Sequence, residues 1–597
     1  MLYTNPFLPT LEDRVSRYKR LEGNGYAVFK PGFIQGLGVL KGLQYKLNAS
    51  YSYNPSRYAD YQGRLAGSTQ NGNASISNTT DTNWLIENIL SYQKDFGQNH
   101  IDFTGSYEAQ RTNYFESAFN GIGFINDQLS FNNFGAANTL GSSGINLFGN
   151  LLTGSGTLGY QTSLLSQMAR INYSYKSTYL LTLTARRDGF SAFGSNTSKY
   201  GLFPSAAVGW NISNEKFMQN IRAINNLKIR FSYGKTGNEA IAPYQTETTD
   251  GTNLYPFNGI AMVGTYPNIL GNANLQWETS TTADLGVDFG IIKNRIRGTI
   301  DLYSTDSKGL LLQRQLPAIT GYGSVWANLG ETTNKGLEVT LNTTNMQAGG
   351  FIWTSDLTFS TNQNKIVDLY GDKKSDLGNR WFIGQPINVI YDYKMLGVWQ
   401  TSEAAQATKY NAKPGDLKIA DLNGDGKITA DDKTILGSQN PKWTGGLTNT
   451  FYYKNFNLRI FIQTVQGVLK NNPQLNWVDL AGRRNIPAGL TYWTPDNNNN
   501  SMPALTYTNT IGYGYPRNAS YTRLQDVTLT YNLPKSVADR AGLGGLSVYL
   551  SGHDLITWTP WLGWSPEVDY TARGGSNFTN NDYPQPRTIV LGVNITL

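Results

Sequence analysis

The chain of 597 residues has no cysteine and only two histidines. The first absence excludes a disulfide framework, a zinc–cysteine site and a thiol nucleophile together. Scarce histidine leaves His100 and His553 as the two imidazole candidates, both inside expected strands. His553 precedes Asp554, but adjacent residues of a strand point to opposite faces, so the two are not expected to form a relay. Long apolar runs are missing as well. None approaches the roughly 18 residues that a membrane-spanning helix needs, and mean hydropathy is −0.39. Charge is sparse: 15% of residues are Asp, Glu, Lys or Arg, and the net +7 is spread along the chain. That distribution gives no basic face for nucleic acid, and no nucleic-acid partner is expected. The N-terminus, Met1-Leu-Tyr-Thr-Asn-Pro-Phe-Leu-Pro9, has neither a basic start nor an apolar core and does not read as a signal peptide.

What the chain has in quantity is glycine (63), tyrosine (37) and tryptophan (13). Its last eleven residues, Arg587-Thr-Ile-Val-Leu-Gly-Val-Asn-Ile-Thr-Leu597, show what this composition is used for. Ile589, Leu591, Val593, Ile595 and Leu597 share one face. Thr588, Gly592, Asn594 and Thr596 share the other, with Val590 the exception. Period-two alternation predicts a strand with one apolar and one polar face, the unit of a membrane barrel in which lipid meets the apolar side. Similar strands are expected at about 24–33, 43–54, 82–95, 98–113, 160–174, 178–187, 200–212, 227–235 and 275–290. Others follow at about 295–303, 335–344, 351–361, 442–453, 455–464, 518–532, 546–556 and 587–597, about seventeen in all. Short links (95–98, 174–178, 290–294, 344–350, 453–455) take turns with long ones (113–160, 235–275, 303–335, 361–442, 464–518, 556–587). A soluble sandwich has no reason to sort its connections by side, whereas outer-membrane barrels do. The fold class is therefore all-β: a transmembrane antiparallel β-barrel with long loops outside the cell and the C-terminus at the periplasmic rim. An odd strand count places Met1 on the outer side. With no export signal, this leads to the expectation that the chain is the back part of something longer.

Several motifs carry a family resemblance. Arg187-Asp-Gly-Phe-Ser-Ala-Phe-Gly194, followed by Gly201-Leu-Phe-Pro-Ser-Ala-Ala-Val-Gly-Trp210, resembles the SusC/RagA-type TonB-dependent outer-membrane transporters. So do Asn328-Leu-Gly-Glu-Thr-Thr-Asn-Lys-Gly-Leu-Glu338, Ile383-Gly-Gln-Pro386 and Pro414-Gly-Asp-Leu-Lys418. Tyr492-Trp-Thr-Pro495 and Tyr583-Pro-Gln-Pro-Arg587 complete the set in the family's order. The resemblance implies that residues 1–597 are the C-terminal portion of a 22-stranded TonB-dependent receptor barrel. The family's signal peptide, TonB box and plug would lie upstream. It implies a nutrient importer of the Gram-negative, Bacteroidota-type outer membrane that takes up glycan or peptide fragments. A SusD-like lipoprotein, outer-membrane lipid and an oligosaccharide or peptide substrate would be its partners, with TonB reached only through the plug. Family barrels usually end in Phe, and this chain ends in Leu597. The alternative is a non-energised barrel remnant or a calcium-stabilised surface β protein without transport activity.

One constellation has defined chemistry, and it lies in a long extracellular excursion expected over 362–441. Asp421-Leu-Asn-Gly-Asp-Gly-Lys-Ile-Thr-Ala-Asp-Asp432 follows the D-x-N-x-D-G calcium-loop pattern over 421–432. Asp421, Asn423 and Asp425 would supply side-chain oxygens, Lys427 its carbonyl and Asp432 the carboxylate at the twelfth position. Structural calcium is the expected cofactor. No enzymatic site is expected. Gly154-Ser-Gly-Thr-Leu-Gly159 fits G-x-G-x-x-G but opens a strand instead of a helix. Gly234-Lys-Thr236 lacks the first glycine of a phosphate loop, since Ile229 stands there. Aromatics of the long loops (Trp477, Tyr492, Trp493, Tyr507, Tyr513, Tyr515, Trp558, Trp561, Trp564) are candidates for stacking on a ligand or for the interfacial girdle.

Overall fold

A computed structural model describes residues 12–33, 40–64, 72–140, 144–145, 151–152, 156–258, 260–472, 475, 489–563, 565–567 and 585–596. Among them no helix is long and apolar enough to cross a membrane. Long antiparallel strands dominate, and every expected strand has a counterpart. The chain divides into two compact units: Met1–Gly209 with Ser232–Thr281 and Ser307–Leu329, and Trp210–Phe231 with Thr282–Asp306 and Gly330–Leu597.

In the first unit, Glu12–Tyr18 and Leu21–Phe29 lie end to end along Leu43–Gln62. They are one strand interrupted at Lys19-Arg20, and its earlier half was not legible in the sequence. Leu43–Gln62 pairs with Asn73–Phe96, which pairs with Asn99–Phe124. Gly156–Tyr175 and Tyr179–Phe190 continue the ladder. Alternation sets the two faces. Tyr45, Leu47, Tyr51 and Tyr53 project exposed from one face of their strand, and Ile86, Leu90, Ile171 and Leu183 do so from theirs. Buried hydrophobic side chains gather at the ends that feed the longer connections. There Phe193, Phe203, Ile241, Leu275 and Trp277 form one cluster. Phe193 and Phe203 come from the Arg187–Trp210 motif, and Ile241, Leu275 and Trp277 from the connection 239–277. A Cβ on Gly194 would sit 1.8 Å from the Ala273 carbonyl oxygen, and one on Gly201 2.4 Å from the Phe203 ring. Both positions need glycine for close approach.

In the second unit the ladder runs from the Gly330–Ala348 part of the strand Ser324–Ala348 through Phe351–Asp368, Trp443–Tyr453 and Phe456–Gln466. It continues through Tyr521–Asn532 and Gly545–Trp558 to Thr588–Thr596. Turns such as Gly349-Gly350 and Lys454-Asn455 link neighbours, with positive φ at Gly349, Gly350 and Lys454 as tight hairpins require. Around these turns aromatics gather: Trp353 stacks on Phe451 with ring centroids 5.7 Å apart, Phe456 meets Tyr531 at 4.8 Å, and the Lys454 amine lies over Tyr453. Amphipathic rings and a snorkelling lysine are what a membrane–water boundary selects. The last strand leaves Ile589 and Leu591 each 74% exposed, with Val593 and Ile595 exposed beside them. In water such a face would be costly; in lipid it is at home.

The alternation of connections follows the sequence except at 303–335, where the strands Ile296–Gln315 and Ser324–Ala348 extend into the expected long loop and leave only 316–323 between them. Tight turns at 97–98, 176–178, 292–295, 349–350 and 454–455 lie between longer excursions at 125–155, 239–277, 369–442, 467–520 and 559–587.

Candidate functional site: the loop cap of the second unit

The connections 369–442 and 467–520 build a structure of their own, within one unit. Val389–Tyr393 pairs with Lys433–Ser438, Met395–Val398 with Leu417–Ile419, and Leu469–Asn471 with Pro516–Asn518. These short hairpins could not stand alone in water. They are held by a shared core of Tyr393, Leu417, Ile419, Leu475, Met502, Tyr513 and Tyr515, drawn from both connections. Polar stitches cross between the two. Gly514 N–H donates to Asp392 Oδ2 (2.8 Å), Val398 N–H to Asn500 Oδ1 (2.8 Å) and Trp493 Nε1–H to Gln400 Oε1 (3.0 Å). Asp392 is buried, and burial pushes its carboxyl above the ordinary carboxylate range, against the pull of the Gly514 and Tyr393 amides. Trp399 stacks on Tyr410 and lies under the Lys418 amine (4.6 Å), which pairs with Glu403 at 2.6 Å.

Packing absorbs most of the aromatics that could have stacked on a ligand, in this core and in a second cluster of Val468, Ala519 and Trp561. Trp493, Tyr513, Tyr515 and Trp561 are buried, and Tyr492 and Tyr507 pack against the same cluster as Tyr515. Trp558, at the end of its strand, is 54% exposed. Trp477, Trp564 and the start of the Tyr583–Arg587 motif lie outside the described residues.

The 421–432 loop sits in the first of these connections. Asp421 Oδ1 accepts from Gly424 N–H (2.7 Å) and Oδ2 from Gly426 N–H (2.9 Å). Asp425 Oδ1 accepts from Lys427 N–H (2.8 Å), and Asn423 Oδ1 from Asp425 N–H (3.0 Å). Asp432 is fully buried; its two oxygens take the Thr429 and Leu422 amides, each at 2.8 Å. Those backbone bonds, Thr429 foremost, hold its carboxyl below the usual range. Each residue of the calcium pattern is therefore placed on one turn, with its side-chain oxygens directed at loop amides. Among the described residues, no three His, Cys, Asp or Glu side chains form a metal-binding group.

Below the cap, Arg523 is buried and carries several partners. It meets Glu567 Oε2 at 2.5 Å, Gln585 at 3.1 Å and Asp554 at 3.4 Å, and donates from Nε to Thr557 (2.9 Å). Tyr521 also hydrogen-bonds Glu567. His553 does not meet Asp554; its Nδ1 lies 3.0 Å from Asp526, which also binds Arg459 at 2.8 Å. The absence of a His553–Asp554 relay is as expected, but for another reason. Asp554 has φ of 54° at a register shift, so strict alternation fails there and each residue finds its own partner.

An all-β chain with bare apolar strand faces, interfacial aromatics and connections sorted by length is a membrane β-barrel protein. The chain belongs to the TonB dependent receptor-like, beta-barrel family, whose profile matches residues 9–555. Such barrels reside in the outer membrane of Bacteroidota, and this chain is an outer-membrane protein. It is 33% identical over 596 residues to TonB-dependent receptor P3 of Formosa agariphila, covering 95% of this chain and 58% of that one. It is 30% identical over 461 residues to TonB-dependent receptor SusC of Bacteroides thetaiotaomicron, covering 73% and 44%. The solved structure of the RagAB peptide transporter matches with a TM-score of 0.82 at 25% identity, over 99% of this chain and 63% of that one. The chain thus spans about half the length of the curated relatives it matches.

Proposed function

We propose that the protein is the barrel of a TonB-dependent importer that takes up oligosaccharide or peptide fragments captured with a SusD-like lipoprotein. The observation that carries this reading is the loop cap: two long connections share one hydrophobic core at the long-loop side of a membrane barrel. A passive barrel has no need of so heavily built an entrance. Likeness to SusC and to the RagAB peptide transporter supports the same reading. The test is uptake of labelled oligosaccharide and oligopeptide pools by cells with and without the gene. Loss of uptake of one pool, with free glucose unaffected, is expected; unchanged uptake of every pool would overturn the reading.

On the same reading the 421–432 loop is a calcium seat facing the extracellular medium. Asp421, Asn423, Asp425, the Lys427 carbonyl and Asp432 would hold the ion through lone pairs their amide bonds leave over. Its role would be to stiffen the 369–442 excursion. Chelation, or the pair Asp421→Asn and Asp425→Asn, is expected to speed proteolysis within that excursion. Equal cleavage with calcium and with chelator would remove the ion from the proposal.

A further inference from the structure

The exposed apolar face of the first unit is not uniform. Across three neighbouring strands Gly105 pairs with Ala169, and Ala169 with Ala185, so a rung of minimal side chains crosses the sheet. The next rung toward the short turns is large: Phe103, Ile171 and Leu183. The Phe103 ring covers Gly105, and from Ala169 onward the small residues leave a trough of about 580 Å³, floored by Ala169, Ala185, Pro204 and Ala206 and walled by Ile171, Leu183 and Tyr233. Pro204 brings no N–H to the ladder, which loosens the sheet at the floor.

One cation, Lys235, lines the trough, and a second, Arg187, stands beyond the lining residues toward the same end. Arg187 stands two residues beyond Ala185 on the same face, opposite Gln167, toward the connection 191–199, at the end of the strand away from the tight turn 176–178. Its guanidinium lies 3.9 Å over the Tyr200 ring and donates to Gln167 Oε1 (3.4 Å), contacts that fix the group and leave its charge uncancelled. Lys235 lines the trough two residues beyond Tyr233, again toward the long-loop end. Among the described residues neither cation pairs with a carboxylate. Two unpaired positive charges on a lipid-facing surface are costly unless an anion meets them.

We infer that this trough is a seat for one phosphate-bearing lipid of the outer membrane, with an acyl chain on the alanine floor and the phosphate between Arg187 and Lys235. The inference rests on the barrel assignment and is independent of what the protein transports. A chain lying on alanine fills space that larger neighbours leave, regaining contacts a smooth belt would have made within itself. The phosphate supplies the counter-charge in a medium where it is weakly screened.

The test is native mass spectrometry of the protein extracted from its own membrane in mild detergent, counting retained phospho-lipid. Wild type is expected to keep bound lipid, and Ala185→Trp, which fills the floor, to lose it. Arg187→Gln and Lys235→Gln should each weaken retention about fivefold, the factor expected for one basic group at a membrane surface. Heat-modifiable migration on gels reports folding; if Ala185→Trp fails it, Ala169→Leu replaces it. Arg187→Lys should retain lipid. Retention equal to wild type in the floor and charge variants would overturn the inference. So would an equal loss from the control Leu591→Ala, far along the sequence on the last strand, because the lipid would then be ordinary annular lipid. Release by inorganic phosphate with no effect of filling the floor would reduce the site to a plain anion site and overturn the acyl seat.

Discussion

Arg523 shows what a single side chain decides. It is 3% exposed and lies between carboxylates that the connection 559–587 and the strand Gly545–Trp558 bring to it. Removing one partner of a buried charged network leaves the others uncompensated. Arg523→Leu is expected to cost about 3–5 kcal/mol, read as faster amide exchange in 559–567 than in the strands below. Exchange unchanged there would mean that the connection is held by other contacts. Asp432 gives a pH prediction. Its carboxyl titrates below the unfolded range because backbone amides favour the ionised form, so its contribution is present above about pH 4 and is lost as pH falls through the depressed value. Protection of the Leu422 and Thr429 amides, relative to their intrinsic exchange at each pH, should therefore fall on acidification, and Asp432→Asn should show that loss already at neutral pH. Asp392 works in the opposite sense. Burial raises its carboxyl, so ionisation costs stability, and the cap gains from protonation as pH falls.

At the scale of elements, the cap stands or falls as one piece. Tyr515 is fully buried among side chains from both long connections. Tyr515→Ala should cost about 3–5 kcal/mol and expose both 369–442 and 467–520 to protease together, while heat-modifiable migration of the barrel is kept. Cleavage confined to 467–520 would show that the two connections fold independently. Strands were readable because a half-buried strand writes its two faces into alternate residues, as Tyr45, Leu47, Tyr51 and Tyr53 do. The break at Lys19-Arg20 was not, since Glu12–Tyr18 opens on three consecutive charged residues and shows no period-two apolar face. The cap was not either. Its hairpins are short, and what holds Val389–Tyr393 is Tyr513 and Tyr515, more than a hundred residues away in sequence. Aromatics that looked available for a ligand are used there as core.

For the whole molecule, the medium is the deciding partner. Leu591, 74% exposed on the last strand, should tolerate no charge: Leu591→Arg is expected to cost about 2–4 kcal/mol near the bilayer midplane. Asn594→Arg, on the polar face of the same strand, should be accepted. Comparable folded yields of the two in vesicles would mean that the exposed face does not meet lipid. By itself the sequence determined the series of long strands, the two faces of the clearly alternating ones, most of the sorting of connections by length and the family, because these follow from period-two patterning and local motifs. Only the tertiary structure decided which aromatics are core, which carboxylate each of Arg523 and His553 meets, and where alanines of three strands line up beneath Arg187 and Lys235. Those depend on register and on contacts between distant segments, and a one-residue slip, like the one at Asp554, reassigns every partner.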